Sequence, residues 1–276
     1  MKVVLIILFS FSIQNISSDK SVYYLEKMIS AIDNINTLEY ELLAQERIDG
    51  NMLLTHSKVK LNISPFKFYT YIIKPHNGLE ILLNPNSEDA LVNPNGFPFM
   101  NIRLDPKGKI LRKDQHHTLY ESGFQTIRDI TYSFINVLKE SPADYFKASY
   151  ETLFKERPCY VLEINNPNFT YVTYIVKDQE SIYDIALKYN LSSYHLLMKN
   201  KIKFYNHVSR GDTILIPNSY AQSFEIWIDK ETFLPVVQKM FIEEELFENY
   251  QFTNIIVNDN FDDQEFSKDY DEYNFN

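Results

Sequence analysis

Residues 37–63, TLEYELLAQERIDGNMLLTHSKVKLNI, alternate polar and apolar side chains on either side of Asp49-Gly50-Asn51. A period of two places successive side chains on opposite faces of a strand, and an Asp-Gly centre suits the positive φ angles of a tight hairpin turn. The stretch therefore predicts two long antiparallel strands. The pattern recurs along the chain. PFKFYTYIIK and GLEILLN continue the meander, and NPNSEDALVNPNG holds a short strand between two turns. FKASYETLF, PCYVLEIN and SFEIWIDKETFLPVVQKMFIEEELFENYQFTNIIV return to strands later. This amounts to about ten strands. Twenty Tyr and twenty Phe beside six Gly suit a sheet with a bulky aromatic interior.

Two segments break the period. Val22, Leu25, Met28, Ile29 and Ile32 recur at helical spacing, which predicts a helix over Ser21–Asn34. Phe124, Ile127, Ile130, Phe134, Ile135 and Leu138 define a second apolar helix face that ends before Pro142. At the N-terminus, Lys2 precedes an eleven-residue apolar run, Val3–Ile13, and then a polar stretch with small residues. This is the pattern of a secretory signal peptide over residues 1–18, with an uncleaved anchor as the alternative. The lone cysteine, Cys159, has no partner within the chain and reads as a buried, inert thiol. The net charge, 27 − 37 = −10, argues against nucleic acid as a partner.

A third helical segment lies inside the strands. Ser181 and Asp184 have capping-box spacing, and Ile182, Ile185, Ala186 and Tyr189 follow on one face. Ser192 opens a second short helix, with Leu191 and Leu196 placed as a hydrophobic staple. With YVTYIV before and DTILIP after, the order is strand, helix, helix, strand. In YIVKDQESIYDIALKYNLS, LLMKN and VSRGDTILIP this segment resembles the LysM domain over residues 171–217. LysM modules bind N-acetylglucosamine-containing glycans such as peptidoglycan, in a groove between the loop after the first strand and the loop after the second helix. The resemblance implies a groove formed by Asp178, Gln179, Glu180 and Ser181 on one side and Asn200, Lys201 and Ile202 on the other. The chain departs from the family at Gln179, usually Gly, and at Ser181, usually Thr.

Without the insert, CYVLEINNPNFTY runs into SFEIWIDKETFLPVVQKMF, so the insert sits at the tip of a hairpin of a host formed by residues 19–170 and 218–276. The host resembles the LolA-like group, the periplasmic lipoprotein carriers and their relatives. The resemblance rests on FEIWIDKETFLPVVQKM and ENYQFTNIIVNDNFDDQEFS, while LRKDQHHTLYESGFQTIRDI looks like a related, poorly characterised exported family. It implies an α+β fold, a curved antiparallel half-barrel with helices in its concave face, and a periplasmic or envelope location. It also implies an apolar cavity for a lipid, acyl or lipoprotein ligand.

Catalytic signals are sparse. His116-His117 is the one adjacent histidine pair, with no partners identifiable for a metal site. No nucleophile elbow, zinc-protease helix or Cys-His signature is present. Glu243, Glu244 and Glu245 are expected to face water, and the acidic tail from Asn258 is expected to be a solvated loop. The expectation is a non-enzymatic envelope protein without cofactor or metal, binding glycan through the insert and a hydrophobic partner through the host. A structural or protein-interaction role with neither site occupied is the alternative. A wall-glycan hydrolase, which needs an exposed acid in a cleft, is a minor third reading.

Overall fold

Asp49 and Gly50 adopt φ angles of 49° and 83°, the left-handed pair of a two-residue hairpin turn. Around them β1 (Thr37–Ile48) runs antiparallel to β2 (Asn51–Asn62), with Ile48 opposite Asn51. The computed structural model, which describes residues 15–275, extends this pair into one sheet. Residues 1–14 of the expected signal peptide over residues 1–18 lie outside the described residues.

Helix α1 (Ser18–Asp33) leads into β1, and β3 (Lys67–Lys74), β4 (Leu79–Leu83), β5 (Ala90–Asn93) and β6 (Ile102–Leu104) add to β2 in turn. The chain then passes through α2 (Gln125–Glu140) and the single turn α3 (Pro142–Tyr145) to the far edge of the sheet. There it pairs β7 (Phe146–Phe154) with β8 (Arg157–Asn165). After the excursion β9 (Tyr171–Ile175), α4 (Ile182–Tyr189), α5 (Ser193–Asn200) and β10 (Thr213–Pro217), it returns inward through β11 (Ser223–Asp229), β12 (Pro235–Ile242) and β13 (Glu245–Val257).

The order β6-β5-β4-β3-β2-β1-β13-β12-β11-β8-β7 makes eleven antiparallel strands with two free edges. The fold is α+β, a large curved open sheet with few helices. β6, only three residues long, carries too little alternation to read from sequence. Both predicted long helices form, and both lie on one face of the sheet. Leu25 and Met28 of α1 and Ile127 and Leu138 of α2 share one core with Leu38, Leu61 and Leu162 of the strands. Each such side chain, fully buried, stabilises the fold by about 1.5–3 kcal/mol. Ser17 caps α1 through Lys20 N, so a cut after Ser18 would remove a cap worth roughly 1 kcal/mol.

The C-terminal tail corrects an expectation. It is mostly loop, and Asp262, Asp269, Asp271 and Glu272 are exposed, but it is not free in solvent: Phe266 and Phe275 are buried on the other face against Tyr69 and Leu82. Tyr273 stacks on Tyr69 at 3.7 Å between centroids, and Lys60 Nζ meets Glu265 Oε2 at 2.6 Å. Charge composition hides this because Phe261, Phe266, Tyr273 and Phe275, four aromatic residues of the tail, pack against the sheet between the carboxylates. Glu243 and Glu244 do face water, at the left-handed β12–β13 turn.

β8 and β11 pair directly, Asn165 opposite Ser223, so the excursion between them leaves and re-enters at adjacent strand ends. β9 and β10 form their own two-stranded sheet and, with α4 and α5, their own apolar cluster around Ile182, Ile185 and Leu196. Cys159 in β8 is fully buried, and burial, aided by Asp229, pushes its thiol up to about 11. At pH 8 the native protein should resist iodoacetamide, whereas unfolding in urea should expose one labelled thiol by mass spectrometry. Rapid native labelling would contradict the packing described.

Candidate functional site

A cavity of about 140 Å³ lies between the helix-bearing face of the sheet and residues 115–130. Strand alternation builds it. Tyr40, Leu42, Ala44 and Glu46 of β1, and Glu248, Tyr250 and Phe252 of β13, all line it. Ile127 and Ile130 of α2 close the apolar side. The other end is polar, with His117, Glu121, Tyr220 and Gln238 beside Glu46 and Glu248.

Glu46 and Glu248 are directly opposite one another on β1 and β13, and both are buried, 9% and 1% exposed. Two carboxylates so placed repel, and the histidine pair offsets this. His116 Nδ1 lies 2.7 Å from Glu248 Oε1, and its Nε2 lies 3.0 Å from the Arg47 carbonyl oxygen. His117 Nδ1 lies 3.2 Å from Glu121 Oε1, and its Nε2 lies 3.2 Å from the Tyr220 hydroxyl. The Tyr220 hydroxyl donates to Glu248, 2.8 Å from Oε1, and Tyr250 donates to Glu46 Oε1 at 2.5 Å. Burial disfavours a charged His117, but the Glu248 and Glu121 carboxylates outweigh it and hold the imidazolium well above its ordinary range. Burial likewise opposes ionisation of Glu248, and the histidines outweigh it and hold the carboxyl far below its ordinary range. Burial beside Glu248 raises the Tyr220 and Tyr250 phenols, so both remain donors. Gln238 Nε2 is buried in this cavity wall with no hydrogen-bond partner.

The sequence singled out His116-His117 but not its partners, which come from β1, β13 and the segment before β11. One local signal was available: Thr118-x-x-Glu121 is a capping box, and it forms. Among the described residues no group of His, Cys, Asp and Glu side chains is arranged to hold a metal ion.

The residues predicted on the insert divide into two sets. Ser181 is committed to its capping box with Asp184. Glu180 accepts from the Tyr174 hydroxyl at 2.8 Å and from Lys177 N at 2.9 Å. The Asn200 amide bonds Leu196 O, Leu215 O and Leu215 N at 2.9, 2.8 and 2.7 Å, so it is a clamp between α5 and β10. Asp178, Gln179 and Lys201 are exposed and Ile202 is half-buried. Gln179 has φ 61°, a conformation that glycine adopts without cost and a side chain does not. The insert is docked on the host through α5. The Tyr194 hydroxyl accepts from Asp49 N at 3.0 Å, and its ring stacks on His116 at 4.6 Å between centroids.

No curated protein matches this chain. Among solved structures it is similar to the Mycobacterium tuberculosis lipoprotein LppX, at 9% identity over 89% of this chain and all of that one, with a TM-score of 0.44. It is also similar to LprF from Mycobacterium bovis, at 8% identity over 90% of this chain and 99% of that one, TM-score 0.41. For MucB the identity is 12% over 91% of this chain, the TM-score is 0.41, and the chain spans 63% of the MucB chain. The family model described as a protein of unknown function, DUF1571, matches residues 35–196, more than half of the 276 residues, and the chain belongs to that family.

Proposed function

We propose that this protein is a non-enzymatic binding protein of the cell envelope, in which this cavity seats the apolar end of a small amphiphile. The observation that carries this is the division of the cavity into an apolar side and a polar end, where the Gln238 Nε2 donor is buried without a partner. A ligand acceptor at that end would satisfy Gln238 and meet His117. The volume sets the ligand's size. A dry cavity of about 150 Å³ takes a benzene-sized group, so at about 140 Å³ this one takes a ring or a short chain. A whole acyl chain, as a LolA-like carrier would hold, requires α2 to move outward. A series of straight-chain alcohols followed by calorimetry tests this. Affinity should rise about three- to fourfold per methylene, from roughly 0.8 kcal/mol each, and level off once the cavity is full. A continued rise would show that α2 opens for longer chains, and no binding at any length would sink the reading.

The same proposal takes residues 171–217 as a LysM-like module that holds the protein to a peptidoglycan-type glycan. The β9-α4-α5-β10 order and the two serine caps support it. Asp178, Gln179 and Lys201 are the exposed side chains left for a sugar, with Ile202 half-buried beside them against the insert core. Retention on purified peptidoglycan should fall at least tenfold in an Asp178→Lys, Lys201→Glu variant. Equal retention of both proteins would favour the alternative, an interaction module docked through Tyr194. No helix among the described residues is long and apolar enough to cross a membrane.

A further inference from the structure

The host and the insert enclose a second space, separate from that cavity. A cleft of about 1200 Å³ is lined by residues of the 105–114 segment and of the α5–β10 connection. Arg112 lies at its base, only 4% exposed. Its guanidinium carbon sits 3.2 Å from the Tyr205 ring centroid and 5.2 Å from that of Tyr183, and one terminal nitrogen donates to Ser193 Oγ at 2.5 Å. Its Nε has no hydrogen-bond partner. Among the described residues no carboxylate forms an ion pair with it. An arginine stays protonated in a protein, so the fold holds a positive charge away from water with no carboxylate in contact, the buried Glu121 acting on it only through space. That arrangement is costly unless a negative group compensates it.

The rest of the cleft has the same bias. Lys107, Lys109, Lys113, Lys201 and Lys203 line it with Arg112, against four aspartates, an excess of 6 − 4 = +2 in a chain of net charge −10. Three of those aspartates are engaged locally. Asp105 accepts from Lys107 N, Asp184 from Ser181, and Asp49 from the Tyr194 hydroxyl. The lysines form no ion pair among the described residues.

We propose that this cleft binds an anionic ligand through a carboxylate or phosphate group, with Arg112 as the buried anchor and the exposed Lys109 and Lys113 at the mouth. Nε and the terminal N–H groups not used by Ser193 form the free side of the guanidinium fork, which suits planar or tetrahedral oxyanions. Stacking on Tyr205 holds that fork in place. The anion either belongs to an acidic sugar or is a phosphate.

Calorimetry on the full chain at fixed ionic strength, with inorganic phosphate, N-acetylmuramic acid and neutral chitotriose, tests the assignment and separates the sources. At least one of the two anions should bind, more weakly as salt rises, and Arg112→Gln should lower its affinity tenfold or more. Preference for phosphate or for the acidic sugar identifies the source. Should Arg112→Gln fail to fold, the surface pair Lys109→Gln, Lys113→Gln decides, with an expected loss of threefold or more. Chitotriose reports on the glycan reading separately and should be indifferent to these substitutions. Absence of binding by both anions, or unchanged affinity in the folded variants, overturns the proposal.

Discussion

Glu248→Ala is expected to destabilise the protein by about 3–5 kcal/mol, the usual cost of breaking a buried ion pair by removing one partner. The carboxylate is 1% exposed and receives His116 Nδ1, 2.7 Å away, and the Tyr220 hydroxyl. Its loss leaves two histidines and a buried phenol facing one another without their common acceptor. Urea unfolding followed by circular dichroism measures the effect, and a loss under about 1 kcal/mol would show that water enters to replace the carboxylate. The pH profile supplies a second readout. The folded-state value of Glu248 is depressed, so its contribution is complete above the ordinary carboxylate value of about 4.3 and is lost as the pH falls. The value of His117 is raised, so its contribution is complete below about 6.5 and is lost as the pH rises through the raised value. Stability from this pair should therefore be greatest between about pH 5 and 6.5, and Glu248→Ala should flatten both flanks.

Asn200→Ala should cost about 2–4 kcal/mol, because three hydrogen bonds are lost at roughly 1 kcal/mol each and the Leu215 backbone groups lose their partners. The amide joins the end of α5 to β10, so the loss falls on the insert while the eleven-stranded sheet persists. Hydrogen exchange should show faster exchange at Leu215 N and little change in β1 or β13. Exchange unchanged at Leu215 would mean that water replaces the clamp. Asn200 is thus a poor probe of glycan binding, since its removal loosens the module that would bind. Asp178 and Lys201, whose side chains are exposed, separate recognition from folding.

Local physics was legible in the sequence, and contact between distant segments was not. The Asp49-Gly50 hairpin, the two apolar helix faces and the serine caps of α4 and α5 follow from spacing within a few residues, and all form. The return of β11 alongside β8 was also readable, because both flanks of the insert keep a period of two. The tail was misread because its buried Phe266 and Phe275 are isolated aromatics without periodicity.

What the sequence by itself determined is which segments are strands and helices and which of their faces are apolar, because each is a property of neighbouring residues. Only the tertiary structure decided that His117 faces Glu121 and Glu248, that Asn200 is a clamp, and that Arg112 lies under a cleft with no carboxylate in contact. These sites assemble from segments as far as 204 residues apart, as for Glu46 and Tyr250. Burial and charge pairing are set by whichever surfaces meet in the fold, and no local spacing encodes that meeting.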